Sequence, residues 1–161
     1  MHRKNIYIIF VIKSNNTVIM FDLSYKYKRP TTLFGTQNAK TIKGEKLGYT
    51  TFILYMSPEK QNTSGKNLCA HASEGCKAAC LFTAGRGAFS NVMTGRLNKT
   101  EYFLREKALF LEQVYNEVAK GYKKHGKALA VRLNGTSDIP YENIKIKDDK
   151  NIMELFPDVQ F

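Results

Sequence analysis

Three thiols, Cys69, Cys76 and Cys80, fall inside the twelve-residue run CAHASEGCKAAC, and no other cysteine occurs in the chain. Several chemistries compete for them. A disulfide would use two, leave one over and require an oxidising compartment. A structural zinc takes four ligands, usually as two close pairs, and only one close pair is present. His71 would complete a Cys3His set through a cramped C-x-H step, and His125 is distant in sequence. A [4Fe–4S] cluster held by three thiolates keeps one iron open for a substrate or a nucleotide-like cofactor. Cys76 and Cys80 are four residues apart, so one helical turn places both sulfurs on one face. Gly75 permits the turn that returns Cys69 from the preceding loop, and Lys77 and Arg86 offset thiolate charge. The cluster is the reading this spacing favours. Zinc is the alternative metal, and three buried core cysteines are the plainest account.

Two further groups carry chemistry. In LFTAGRGAF, Gly85 and Gly87 flank Arg86, which would let backbone amides and a guanidinium approach an anion. An ordinary glycine loop explains the same residues equally well. In RLNGTSD, Arg132, Asn134, Ser137 and Asp138 crowd one strand end. Asn134 and Asp138 suit ribose hydroxyls or an amino group, and Arg132 a carboxylate; turn and cap chemistry is the competing explanation. Asn38, Lys40 and Lys43 would line an anionic site, although a solvated lysine face accounts for them more simply. There is no Ser-His-Asp arrangement, Walker loop or GxGxxG, so hydrolase and kinase readings lack support.

The elements that must position these residues follow from pattern. YTTFILYMSP, 49–58, is β-branched and aromatic and reads as a buried strand. The stretch 25–49 is rich in Lys, Thr and Gly and reads mostly as loop. A helix is expected from Asn98, with Glu101 completing a capping box and Gly126 ending it. Leu104, Ala108, Leu111, Tyr115, Val118 and Tyr122 form its apolar stripe. A second buried strand spans 127–133, a short helix about 150–156 ends at Pro157, and DVQF looks like the start of another strand.

This alternation implies βαβ units and a parallel sheet, with ligands collecting beyond the carboxyl ends of the strands. Both the cysteine loop and the NGTSD loop fall at that edge. The expected architecture is α/β, a partial (β/α) barrel with parallel strands, shortened at the C-terminus. An open sheet edge in it would invite pairing into a homo-oligomer.

The chain has 161 residues, enough for one domain with an ordinary core. Residues 1–19 read as an N-terminal extension, with Met20 an alternative start, and 20–161 as a single α/β domain. Ile6 to Ile12 is too short to span a membrane and precedes no cleavage site, so no membrane partner is expected and disulfides lose ground. The net charge of +11 and a pI near 9.6 favour anionic partners, either a small anionic or nucleotide-like ligand or nucleic acid.

The runs GTQNAKTIKGEKLGYTTFILYMSP, NLCAHASEGCKAACLFTAGRG and RLNGTSDIPYE resemble the phage-encoded gene product 88-like family, over Leu33 to Phe161. The resemblance implies action in the cytoplasm of an infected bacterial host and a longer parent protein. The cysteine loop is similar in position to that of radical S-adenosylmethionine enzymes. Its C-x6-C-x3-C spacing departs from their C-x3-C-x2-C, and their glycine-glycine-glutamate motif is not evident. The expected protein carries a [4Fe–4S] cluster, and the likeness to radical S-adenosylmethionine enzymes implies S-adenosylmethionine as a cofactor in the modification of an unknown substrate. A zinc- or cluster-stabilised basic module that binds nucleic acid without catalysis is the alternative.

Overall fold

A computed structural model describes residues 12–14, 17–19, 22, 24–36, 39–80, 82 and 84–161. The apolar run before Ile12, Met20 and Asn38 lie outside them. Two short strands, β1 (Ile12–Ser14) and β2 (Thr17–Ile19), pair antiparallel as a separate hairpin. The main sheet has three strands, β3 (Phe34–Gly35), β4 (Thr50–Leu54) and β5 (Leu129–Arg132), in the order β3-β4-β5.

β4 and β5 run parallel, with Thr50 opposite Leu129 and Ile53 opposite Arg132. β3 instead runs antiparallel to β4, with Phe34 opposite Leu54. The expected partial (β/α) barrel is therefore wrong: a three-stranded mixed sheet with an antiparallel edge strand is open and cannot begin a parallel barrel. β5 reaches one step further, because Ala130 bridges Gln160 in parallel and the Val131 amide donates to the Gln160 carbonyl at 2.7 Å.

Five helices surround this sheet among the described residues: α1 (Ala39–Glu45), α2 (Glu74–Ala78), α3 (Ser90–Arg105), α4 (Lys107–His125) and α5 (Ile152–Leu155). The segment read as loop thus contains both β3 and α1. α1 packs against β4 with Thr41 fully buried, and Gly44 brings its backbone close to the sheet: a Cβ there would stand 2.8 Å from the Thr51 hydroxyl oxygen.

The single helix expected from Asn98 is two helices that meet at Glu106, whose φ of −132° and ψ of 50° leave the helical region. Asn98 and Glu101 accordingly sit inside α3 and form no capping box. Phe89 is the N-cap of α3 and makes no side-chain cap hydrogen bond. The break also resets the helical phase, so the buried stripe of α4 is Phe110, Leu111, Val114, Val118 and Gly121, while Ala108 is exposed. Tyr102 and Phe103 of α3 close edge-on around Phe110 at 5.5 and 5.3 Å. At the end of the chain, Asn151 and Glu154 form the true capping box of α5.

Candidate functional site

Because β4 and β5 are parallel, the segments leaving their carboxyl ends emerge on one edge of the sheet. Three bonds stitch these segments together. The Gly135 amide donates to the Leu54 carbonyl at 2.9 Å, the Thr136 hydroxyl to the Met56 carbonyl at 2.5 Å, and the Asp138 amide to the Leu68 carbonyl at 2.8 Å. Gly135 is required by proximity, since a Cβ there would lie 2.7 Å from both the Leu54 carbonyl oxygen and the Tyr55 ring. Between the stitched segments and α2 opens a cavity of about 730 Å³. All three cysteines and Arg132, Asn134, Ser137 and Asp138 line it. The sequence-level placement of two loops at one sheet edge therefore corresponds to one physical cavity.

The thiols occupy three different environments. Cys69 is buried, its amide anchored to the Asn67 side-chain oxygen at 2.8 Å. Its sulfur accepts from the Glu59 amide at 3.4 Å and donates to the Thr136 carbonyl at 3.9 Å. Burial pushes the Cys69 thiol above its ordinary range; the Glu59 amide opposes this, and the charges of Cys80, Asp138 and Glu59 reinforce it. Cys76 is exposed in α2, where its amide donates to the N-cap hydroxyl of Ser73 at 3.1 Å. Cys80 is half-buried two residues beyond α2, its amide bound to the Lys77 carbonyl at 3.3 Å.

Among the described residues, no three His, Cys, Asp or Glu side chains come together in a group that could hold a metal ion. The expected [4Fe–4S] cluster needs three converging thiolates, and the zinc alternative needs four converging ligands. Both readings fail on this geometry, which lends no support to the likeness of the cysteine loop to that of radical S-adenosylmethionine enzymes. The cysteines share a cavity wall without forming a coordination sphere.

The polar wall opposite has a division of labour. The Asn134 side chain is spent on the loop: its oxygen accepts from the Ile139 amide and the Ser137 hydroxyl, both at 3.1 Å, and its nitrogen donates to the Ile139 carbonyl at 2.9 Å. Arg132 is exposed, and among the described residues only its Nε is engaged, with the Asn134 carbonyl at 3.1 Å. The exposed Asp138 carboxylate makes no hydrogen bond or ion pair among the described residues. Lys77 is half-buried beside them, paired with Glu74 at 2.6 Å and near Glu59 at 4.0 Å. Its Glu74 partner holds the ammonium above its usual range.

The Gly85–Arg86–Gly87 group is not brought to this cavity. It forms a 3-10 turn over Gly85–Ala88, with Gly85 at a φ of 54° and Arg86 exposed. Gly87 is buried, and a Cβ on it would meet the Phe82 carbonyl at 2.5 Å and the Arg96 guanidinium at 3.3 Å. The glycine serves packing against Arg96, which donates to the Phe82 carbonyl at 2.8 Å between the rings of Tyr55 and Phe82. Lys43 is exposed on α1 and does not line the cavity.

Sequence reasoning missed Glu59 and Gln61 as lining residues. Ser57-Pro58, taken as a strand stop, was the available signal that a loop at the ligand edge begins there. It also missed Glu101, which is fully buried and accepts from the Thr63 amide, the Thr63 hydroxyl and Arg105 Nε, each at 2.7 Å. This network pins the segment that follows β4 to α3; the i,i+4 spacing of Glu101 and Arg105 was its signal.

A family model described as Gene product 88 matches residues 31–161. No curated protein and no solved structure matches the chain. No helix among the described residues is long and apolar enough to cross a membrane.

Proposed function

The chain belongs to the gene product 88 family of phage proteins, and from that premise we propose that it binds a small anionic or nucleotide-like ligand in the cavity beyond β4 and β5. One observation carries the reading: the segments following both parallel strands wall a single cavity of about 730 Å³ with Arg132 and Asp138 on it. That volume falls within the range of small-molecule sites, roughly 300–1,000 Å³. Arg132 spends only its Nε on the backbone, so its two terminal nitrogens are available for a bidentate grip on a phosphate or carboxylate. Asp138 accepts from a ribose hydroxyl or an amino group. Asn134, whose oxygen takes two loop hydrogen bonds and whose nitrogen donates one, holds the loop that carries these groups. The proposed setting is the cytoplasm of an infected bacterium.

Calorimetric titration with adenosine monophosphate, and with adenosine as the uncharged control, tests the reading. The nucleotide is expected to bind and the nucleoside to bind more weakly. Arg132→Ala should weaken nucleotide binding about 10- to 100-fold, the equivalent of one charge-assisted hydrogen-bonding group. Equal affinity for nucleotide and nucleoside, or an unaltered Arg132→Ala protein, would sink it.

A further inference from the structure

The chain as a whole carries a net charge of +11, yet the cavity beyond β4 and β5 does not share that excess. Among its lining residues two cations, Lys77 and Arg132, are matched by two carboxylates, Glu59 and Asp138. We propose that the ligand of this cavity is a zwitterion, with a protonated amine held by Asp138 as well as a carboxylate or phosphate held by Arg132. The proposal rests on the ligand-binding reading above and names the ligand's chemical class.

The four charges divide into an occupied set and an open pair. Lys77 is taken by Glu74 at 2.6 Å, with Glu59 at 4.0 Å. Arg132 and Asp138 are opposite in charge and six residues apart on one loop, but no ion pair joins them among the described residues. Lys145 and Glu154, nine residues apart, do close to 3.1 Å. The loop's own bonding fixes the backbone that carries the open pair. The Asn134 side chain ties Ser137 and Ile139, the Gly135 amide is bound to the Leu54 carbonyl at 2.9 Å, and the Asp138 amide to the Leu68 carbonyl at 2.8 Å. Buried Leu133 and Ile139 anchor the two ends, and Arg132 is restrained by its Nε bond to the Asn134 carbonyl. Two opposite charges therefore stand ready on one wall, a preorganised match to a ligand bearing the reverse pair.

The same wall disfavours a ligand that is anionic throughout. A second negative group would meet like charge from Asp138 and Glu59. Glu59 stands at a φ of 46°, in the left-handed region that favours glycine, so its carboxylate is kept on the wall against backbone strain. Polyphosphates and nucleic acid do not suit such a wall. Amino acids and aminoalkyl phosphates do, since each joins one anion to one ammonium, and a guanidinium accepts either anion. Adenosine monophosphate satisfies only the Arg132 half of the site.

Calorimetric titration of the full-length chain with two matched pairs tests this: O-phosphoethanolamine against ethyl phosphate, and 4-aminobutyrate against butyrate, with adenosine monophosphate alongside. In at least one pair the amine-bearing member should bind about three- to tenfold more tightly, the gain expected of an exposed charge pair, and the tighter pair identifies the anion. Asp138→Asn supplies the sign. The Asp138 side chain makes no hydrogen bond among the described residues, so the loop keeps its bonds. The substitution should weaken the amine-bearing probe and strengthen its amine-free partner, whereas a purely structural role would move both the same way. No preference for the amine in either pair, or a preference that survives Asp138→Asn, overturns the proposal. If that happens while adenosine monophosphate binds, the zwitterion inference fails and the anionic-ligand cavity stands. If adenosine monophosphate also fails to bind, the anionic-ligand reading fails with it.

Discussion

Glu101 shows how much can depend on one side chain. Its carboxylate is fully buried, yet three donors from Thr63 and Arg105 meet it, so the charge is compensated within the protein. Arg105 in turn donates to the Asp22 carbonyl at 3.2 Å and the Thr63 hydroxyl at 2.9 Å. Removing one partner of such a buried pair typically costs about 3–5 kcal/mol, because the other charge is left without its partner. Glu101→Ala is therefore expected to lower the unfolding free energy by that amount, seen as a lower urea midpoint at unchanged slope; a loss below about 1 kcal/mol would show the network to be idle. Residue types alone pointed to the cysteines and to Arg132 and Asp138, and all of these line one cavity. They also pointed to Arg86, where the guanidinium that matters for packing is Arg96, ten positions on. Both are arginines near glycines in sequence, and only tertiary contact with Tyr55 and Phe82 separates them.

At the scale of elements, β4 and β5 were legible because short apolar runs, β-branched and aromatic in β4, are bounded by turn residues. The break between α3 and α4 was not. Glu106 carries no proline or glycine signal; its carboxylate is held by the Tyr27 hydroxyl and the Arg29 guanidinium, residues distant in sequence. Tertiary contacts there override helical propensity. α1 was hidden for a related reason: its lysine-rich sequence shows no apolar stripe, and Thr41 and Gly44 seat it on β4 through close packing. The 3-10 turn at Gly85–Ala88 gives a direct test of packing against anion binding. Gly87→Ala places a methyl against the Phe82 carbonyl, and overpacking of this kind costs about 1–3 kcal/mol. Thermal unfolding should show that loss while nucleotide affinity of the folded protein is retained. An affinity loss without a stability loss would return the turn to the binding site.

For the whole molecule, charge and architecture point different ways. The net charge of +11 is spread along the chain, yet the feature most specific to this fold is the cavity at one edge of a small mixed sheet. The barrel expectation failed because alternation of strands and helices cannot reveal an antiparallel edge strand only two residues long. The cluster expectation failed because spacing in sequence does not report whether three sulfurs converge. Stability should also depend on alkaline pH in a defined way. Burial in the folded state raises the Cys69 thiol above its ordinary range, so the unfolded chain ionises first. Stability from this group is complete below that value and declines as pH climbs through it. Denaturation midpoints measured between neutral and strongly alkaline pH should fall from about pH 9 upward, and Cys69→Ser should flatten the decline. A midpoint that is constant over this range would contradict the placement of Cys69.

The central claim is that a ligand sits beyond β4 and β5, between the cysteine segment and the loop after Arg132. Its most direct test is a residue-resolved NMR titration of the full-length chain with adenosine monophosphate. The account predicts amide shifts confined to residues 59–61, 69–80 and 132–138, absent with Arg132→Ala at the same concentration. Shifts centred on the Gly85–Ala88 turn or on α1, or no shifts at millimolar nucleotide, would contradict it.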